Sequence, residues 1–237
     1  GLVGSEMCIR DSSNPPGPIL MDVSVITDNI PVYAAAAVLT VRVAAKGILL
    51  AFLVGALVAG IRFFKVPVLS QIARVYIELS RNTPLLVQLF FLYFGLPKLG
   101  VVLESETCAV VGLGFLGGSY MAEAIRAGLE GVAPIQLQSS LSLGMSRTQA
   151  LRHVIAPQAT ALSLPAITAN IIFLIKETSV VSIVALPDLV YTAKEQIGQT
   201  YETREALLLL VTFYLIILLP ISLIAGRVEK KVRANVF

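Results

Sequence analysis

Charged side chains interrupt the apolar stretches of this sequence, and they are the first candidates for chemistry. Glu123 follows one apolar run, and Lys176 with Glu177 interrupts another. A charge in an apolar medium is costly, so such residues usually face a polar partner or a water-filled path. Adjacent residues on a helix diverge by about 100°, so Lys176 and Glu177 should not be each other's main partner. Glu123, Lys176 and Glu177 are therefore the charged residues that most invite a functional explanation.

Each candidate also has a purely structural explanation. Glu123 can pair with Arg126 three residues later on the same helix face. Lys176 can extend along apolar surface and place its ammonium in water. A further set of charges fits solvated ion pairs on a helix at the membrane surface: Arg74, Glu78 and Arg81.

Catalytic and metal chemistry have little support in the sequence. His153 is the one histidine, and no Ser, Cys or carboxylate stands at a telling distance from it. The two cysteines, Cys8 and Cys108, form no metal-ligand or disulfide pattern. The chain also lacks the Gly-x-x-x-x-Gly-Lys-Ser/Thr pattern of phosphate-binding loops. We therefore expect no catalytic residue, no bound metal and no ATPase site.

The composition indicates a membrane protein. Of 237 residues, 56% are hydrophobic and 14% are charged, whereas a soluble domain has about 25% charged residues. A soluble fold of this length cannot bury so much apolar surface, but a bilayer can. The net charge of +3 is spread along the chain, which argues against nucleic-acid binding.

Charge-free runs predict about five transmembrane helices in an all-α membrane protein. A shorter apolar stretch, 32–40, is interpreted as an amphipathic lead-in to the first span. The predicted spans are 47–61 (extended backward over 41–45), 82–97, 107–122, 154–175 continuing into 178–186, and 206–226. The last has 21 residues, which gives roughly 30 Å of helix and matches the hydrocarbon core.

The distribution of basic residues predicts the orientation. Most Lys and Arg residues fall between spans one and two, between spans three and four, and in the C-terminal tail. Cytoplasmic connections carry the excess of Lys and Arg. We therefore expect a cytoplasmic C-terminus and, with an odd number of spans, an external N-terminus.

Residues 1–30 are assigned to an N-terminal tail. The first twelve residues are unlike the remainder and resemble translated sequencing adaptor, and Met21 is a plausible start. The transmembrane domain is expected to cover 31–237.

One connection, from 129 to about 159, is longer than the others. Its sequence predicts a short helix over 135–143 that Gly144 ends, followed by a capping box of Ser146 and Gln149. A second helix is expected to run through Ile155 and to stop at Pro157. Two short helices of this kind form a knob that a partner protein can bind, although a re-entrant or interfacial connection fits equally well.

The sequence resembles the permease subunits of ABC importers for polar amino acids. Four segments carry the resemblance in family order: 76–91, which contains Asn-Thr-Pro-Leu-Leu-Val-Gln; Tyr-Met-Ala-Glu at 120–123; Leu-Gly-Met-Ser at 143–146 with Pro-Gln-Ala at 157–159; and Lys-Glu-Thr-Ser at 176–179. The resemblance covers roughly 32–237 and implies the type I importer fold. Histidine, glutamine and arginine permeases belong to this branch.

The resemblance assigns the long connection to the coupling loop that docks the ATPase. Gln138, Ser139 and Ser140 stand where the family usually has Glu-Ala-Ala, so shape and apolar contact must carry more of the coupling than charge does. The implied loop residues are Gln138, Ser139, Ser140, Gly144, Ser146, Arg147, Ile155 and Pro157.

The resemblance also implies the function and the partners. The chain would form part of the translocation path for a polar amino acid, lined by Glu123, Asn170, Lys176, Glu177 and Thr178, which supply an anion and a cation for a zwitterion. Its partners would be ATPase subunits holding ATP and Mg, an identical or homologous permease, an extracytoplasmic binding protein and lipid. We expect a multi-pass protein of the bacterial inner (plasma) membrane that binds no cofactor itself.

Three alternatives remain open. A permease of the same superfamily could carry an osmolyte, methionine or another small solute. An ion-coupled secondary transporter should show inverted repeats, and none is evident. A membrane-embedded enzyme needs a nucleophile and base at membrane depth, which the sequence does not provide.

Overall fold

The computed structural model describes residues 22–236, apart from the side chains at 233, 235 and 236, and this part of the chain is mostly helical, without strands. The expectations about residues 1–12 and Met21 lie outside the described residues. The helices are α1 (Val23–Phe63), α2 (Leu69–Arg81), α3 (Leu85–Phe90), α4 (Ser105–Glu130), α5 (Pro134–Ser142), α6 (Arg147–Ala150), α7 (Ala156–Glu177), α8 (Leu189–Thr200) and α9 (Thr203–Val236).

Within the described residues, four continuous helices are long and apolar enough to cross a membrane: Val23–Phe63, Ser105–Glu130, Arg147–Val184 and Thr203–Val232. A fifth apolar helix, Leu85–Leu99, is shorter and continues α3 through a π-helical turn and a 3₁₀ turn. The predicted all-α membrane fold with about five apolar helices is therefore confirmed.

The first helix begins earlier than the sequence predicts. Asp22 caps α1 by accepting a hydrogen bond from the Ser24 N–H at 2.9 Å, and Pro31 lies inside the helix. Residues 23–30 and the expected lead-in 32–40 are therefore one helix with the first span, 41 residues long. Buried Tyr33 and Ala36 explain this, because they pack against Leu189 and Leu209 of α8 and α9, contacts that no local pattern reveals.

Helix α2 packs against the middle of α4. The Tyr76 hydroxyl donates to the Phe115 carbonyl at 2.7 Å, and the Ser80 hydroxyl contacts the Ser119 hydroxyl at 3.0 Å. Phe115 and Ser119 lie in the middle of α4. After α2 the chain breaks at 82–84 and continues as the apolar helix that begins at Leu85.

Helix α4 forms the centre of the fold because its glycines let α1 and α7 approach closely. A Cβ on Gly117 would lie 2.6 Å from Leu174 of α7 and 2.7 Å from Ala51 of α1. At the far end of α4, a Cβ on Gly128 would lie 2.5 Å from the Ala159 carbonyl oxygen. Small residues allow this backbone approach, which is a main source of helix association in membranes.

Pro157 does not end the helix after the loop, contrary to the sequence prediction. Helix α6 continues through a π-helical segment, Leu151–Ile155, into α7, so Arg147–Val184 is one helix. A proline lacks an N–H and clashes with the carbonyl four residues before it. The wider π turn immediately before Pro157 accommodates that clash, since it shifts the carbonyls of the preceding turn.

Replacing Gly128 by alanine should destabilise the fold. The new Cβ would meet a backbone carbonyl that cannot rotate away, so we expect a loss of about 1 to 3 kcal/mol. Gly60→Ala is the matched control, because nothing lies within 4 Å of its Cβ position and alanine favours helix by up to about 1 kcal/mol. Thermal unfolding in detergent measures both variants, and equal melting temperatures would contradict the close packing of α4 and α7.

Candidate functional site

The long connection has a defined shape set by local hydrogen bonds. Helix α5 ends at Ser142, and Gly144 follows with φ of +84°, a conformation that glycine adopts without strain. The Ser146 side chain then accepts from the Gln149 N–H at 3.3 Å, and the Gln149 side chain accepts from the Ser146 N–H at 2.8 Å. This reciprocal capping box starts the next helix, as its sequence predicts.

An apolar base supports the loop. Ile155, Val132 and Ala159 are buried together, so the start of the fourth span holds the residues that precede α5. A groove of about 580 Å³ lies between the loop and the end of α1, lined by Phe63, Phe64, Leu137, Leu141 and Arg147 among others.

Two of the predicted loop residues are buried and support the loop, whereas the others lie on its surface. Ile155 is buried, and Ser140 is also buried with its hydroxyl donating to the Gln136 carbonyl at 2.7 Å. The others are exposed: Gln138, Ser139, Gly144, Ser146, Arg147 and Pro157. The most prominent apolar side chain of the loop is Leu143, 84% exposed, beside Ile135 at 59%. Sequence reasoning did not single out these two residues, although an apolar residue before the helix-ending glycine was a usable signal.

Glu123 lies in an ion cluster that joins α1 to α4. It pairs with Arg62 of α1, and its other oxygen accepts from Arg126 at 2.6 Å. Arg126 also contacts Glu130 at 2.5 Å. The i,i+3 pair that the sequence suggested is present, but the pairing with Arg62 could not be inferred from spacing. A carboxylate held by two guanidinium groups in this way helps to hold α1 and α4 together as a structural clamp.

Two of the other pathway candidates have internal partners. The Asn170 amide donates to the Tyr120 carbonyl at 3.1 Å, and the buried Thr178 hydroxyl donates to the Ile175 carbonyl at 2.7 Å. Helix α7 ends at Glu177, where a 3₁₀ segment, Thr178–Val184, begins. Lys176 is exposed and Glu177 is half-buried, so these two remain available to a ligand.

Glu123 and Glu177 do not meet. Helices α4 and α7 run antiparallel, since Gly117 lies against Leu174 and Gly128 lies against Ala159. Extending this register places the level of Glu177 roughly 13 Å along the axis from that of Glu123, at 1.5 Å per residue. Lys176 and Glu177 therefore lie at one level along the helix axes, and Glu123 lies at another.

Sequence reasoning missed a buried carboxyl group next to this region. Asp188 is 1% exposed and caps α8 by accepting from the Tyr191 N–H at 2.8 Å. Its second oxygen has no hydrogen-bond partner among the described residues. Burial raises the pKa of Asp188 to about 6, although the backbone N–H groups and Lys194 act in the opposite direction. Its position before Leu189-Val190 made it recognisable as a helix cap, but not as buried.

These features define a multi-pass helical membrane protein with a long, partly apolar loop at one end of the bundle. Residues 47–234 match the family described as binding-protein-dependent transport system inner membrane component. The chain belongs to this family, which confirms the resemblance and places it in the inner membrane.

Curated relatives and a solved structure agree with this family. The probable amino-acid ABC transporter permease protein PatM of Vibrio harveyi is 39% identical over 178 residues, 74% of this chain and 80% of that protein. The probable glutamine ABC transporter permease protein GlnP of Bacillus subtilis is 36% identical over 193 residues, 80% of this chain and 88% of that protein. A chain in the crystal structure of an amino acid ABC transporter with histidines matches 90% of this chain and 100% of its own length, with a TM-score of 0.84 and 30% identity. The type I importer permease fold is thus confirmed.

Replacing Glu123 by glutamine should weaken the clamp. It leaves Arg62 and Arg126 without their shared carboxylate in a partly buried site, so we expect a loss of about 1 to 3 kcal/mol. Glu106→Gln is the matched control, because Glu106 also pairs with two cations, Arg42 and Lys46, whose side chains are more exposed. Thermal unfolding should show the larger loss for Glu123→Gln, and an equal loss would argue against the clamp.

Replacing Asp188 by asparagine should stabilise the protein at neutral pH. The pKa of Asp188 in the folded protein, about 6, lies above its ordinary value of 3.8. The full contribution of Asp188 to the free energy of unfolding is therefore present below about pH 4, and it is lost as the pH rises through 6. This loss is roughly 2 to 3 kcal/mol. Asparagine keeps an acceptor for the Tyr191 N–H and carries no charge.

Melting curves of wild type and Asp188→Asn at pH 5 and pH 7.5 measure this effect. The advantage of the variant should be larger at pH 7.5. An advantage that does not change with pH would contradict the raised pKa, and Asp188→Ala, which also loses the cap, should gain less.

Proposed function

We propose that this chain is the permease subunit of an ATP-driven importer for a polar amino acid, and that the loop at 129–159 couples it to a separate ATPase. The observation that carries the proposal is the exposed apolar surface of α5 and Leu143 on a support that continues into the fourth span. Family membership and the names of the relatives support the cargo class.

The coupling follows from the continuity of the helix that begins at Arg147. Helix α5 packs beside the π-helical segment 151–155, which leads without a break into α7. A displacement of α5 by the ATPase would therefore move α7, and with it Lys176 and Glu177. These two residues and the neighbouring polar groups Asn170 and Thr178 are the proposed contacts for an amino-acid zwitterion.

The contact with the ATPase relies on shape and apolar burial. Gln138 and Ser139 are exposed and uncharged, so no carboxylate of α5 is available for a salt bridge. Leu143 and Ile135 offer apolar area, and burying an exposed leucine contributes about 1.5 to 3 kcal/mol. Arg147 is an exposed charge at the start of the next helix.

The assembly contains two permeases, identical or homologous, which enclose the path, with two ATPase subunits on the cytoplasmic side. A binding protein delivers the amino acid to the outer face. The C-terminus and the loop are cytoplasmic and the N-terminus is external, according to the distribution of Lys and Arg. ATP and Mg belong to the ATPase subunits, and this chain holds no cofactor.

Reconstitution tests the function. The chain is co-expressed with the ATPase and binding protein encoded beside its gene, and ATP-dependent uptake into proteoliposomes is measured for glutamine, histidine, arginine, glutamate, methionine and glycine betaine. Uptake of a polar amino acid is expected. Uptake of methionine or betaine alone would overturn the cargo class, and isolation without any ATPase would overturn the coupling role.

Leu143→Ala should uncouple the transporter without unfolding it. The leucine is 84% exposed, so its loss removes apolar contact to the ATPase and no internal packing. We expect about tenfold weaker ATPase binding, a change of about 1.4 kcal/mol, and a matching fall in uptake. Val102→Ala is the matched control, because Val102 is 80% exposed far from the loop. Equal behaviour of the two variants would contradict the role of Leu143.

A further inference from the structure

A second group of charges, which includes Glu123, lines a cavity that is separate from Lys176 and Glu177. The cavity has a volume of about 380 Å³ and lies between α2 and the ends of α1 and α4 that face the loop. Apart from Ile77, its lining is charged: Arg62, Arg74, Glu78, Arg81, Glu123 and Arg126.

Three of these residues are already paired with one another. Glu123 accepts from both Arg62 and Arg126. Arg74, Glu78 and Arg81 of α2 have no ion-pair partner within 4 Å among the side chains that the structure describes. The cavity therefore offers two uncommitted guanidinium groups and one uncommitted carboxylate.

Arg81 is held in place by an aromatic ring. Its guanidinium carbon lies 5.0 Å from the centre of the Tyr120 ring, a cation–π arrangement that leaves the N–H groups at the edge of the guanidinium free. A guanidinium with free N–H groups binds a carboxylate through two parallel hydrogen bonds. Glu78, three residues earlier on the same face, contacts only the amide of Asn82 at 3.3 Å and can accept from an ammonium group.

The cavity lies on a different side of α2 from the exposed apolar surface that suits lipid. Ile72, Val75 and Leu79 form an exposed apolar stripe on α2. At about 100° per residue, this stripe lies roughly 130° around the helix from the charged face. A lipid headgroup whose tails follow the stripe would not reach the cavity, whereas a water-borne solute would.

The cavity is joined to the proposed path through Tyr120. The Tyr120 carbonyl accepts from Asn170, and the Tyr120 ring packs on Phe173 with centroids 5.3 Å apart. Asn170 and Phe173 precede Lys176 and Glu177 on α7. The cavity thus lies between these residues and the end of the bundle where the loop is.

We infer that Glu78, Arg81 and Arg74 form a second amino-acid site on the loop side of Lys176 and Glu177, where Arg81, assisted by Arg74, binds the carboxylate and Glu78 binds the ammonium group. This inference rests on the proposed function for the direction of transport. The site recognises the part that all amino acids share, so it serves as a step toward release and does not select the side chain.

Chemical protection tests the site without requiring transport. The full-length chain with its ATPase, in lipid nanodiscs, is treated with phenylglyoxal, and the modification of each arginine is measured by mass spectrometry. Glycine, L-glutamine or L-glutamate at millimolar concentration should slow the modification of Arg81 and Arg74 severalfold. Exposed Arg204, which lies outside both the cavity and the loop proposed to contact the ATPase, serves as the internal control and should not change.

Two analogues separate the groups that are recognised. L-Glutaminol, which lacks the carboxylate, and N-acetyl-L-glutamine, which lacks the ammonium group, should protect much less than L-glutamine. Equal protection by glutaminol, or no protection by any amino acid, would overturn the inference. Protection that depends only on phosphatidylglycerol in the nanodisc would assign the cavity to a lipid headgroup instead.

Uptake kinetics provide a second readout. Arg81→Gln and Glu78→Gln should each raise the KM for uptake about tenfold, the loss expected for one charge-assisted contact, and Arg81→Lys should recover part of it. Lys98→Gln changes the same charge as Arg81→Gln at an exposed position outside the cavity and should leave KM unchanged. Failure of wild-type uptake would count against the proposed function, whereas normal KM values in both variants would count against this site alone.

Discussion

The close approach of α4 to its neighbours is the constraint on which the remaining structure depends. Gly117 and Gly128 leave no room for a Cβ against α1 and α7, so the three helices share one fixed register. Lipid provides no hydrophobic drive for helices to associate. Van der Waals contact along this glycine-bearing face must therefore supply most of the cohesion, and the Glu123 ion cluster adds a polar clamp at the loop end.

This register determines what the loop can do. Because α4 and α7 are locked together at Gly128 and Ala159, the two ends of the loop leave the bundle at fixed points. The apolar base at Val132 and Ile155 and the capping box at Ser146 then set its shape. A loop supported at both ends in this way suits the proposed coupling to the ATPase, because a flexible connection would absorb a displacement.

The polar groups along α4 and α7 form two levels. Lys176 and Glu177 stand where α7 changes to a 3₁₀ segment, and a cavity rich in arginine lies nearer the loop, with Tyr120 between them. In a bilayer, charged groups persist where they face each other or water. Two levels of charge, one of them partly uncommitted, are consistent with the proposed stepwise path for an amino-acid zwitterion.

The sequence by itself determined the membrane class, the existence of about five apolar helices, the capping box and the turn at Gly144, because each follows from composition or from residues close in the chain. The resemblance carried by four short segments also identified the family.

Tertiary structure decided where helices begin and end: Tyr33 and Ala36 extend α1 backward through contacts with α8 and α9, and a π turn carries the fourth span past Pro157. It also decided which charges meet, since Arg62 and Glu123 are 61 residues apart and only the packing of α1 on α4 brings them together. The local sequence gives no sign that Asp188 is buried, because burial depends on neighbours that are distant in the chain.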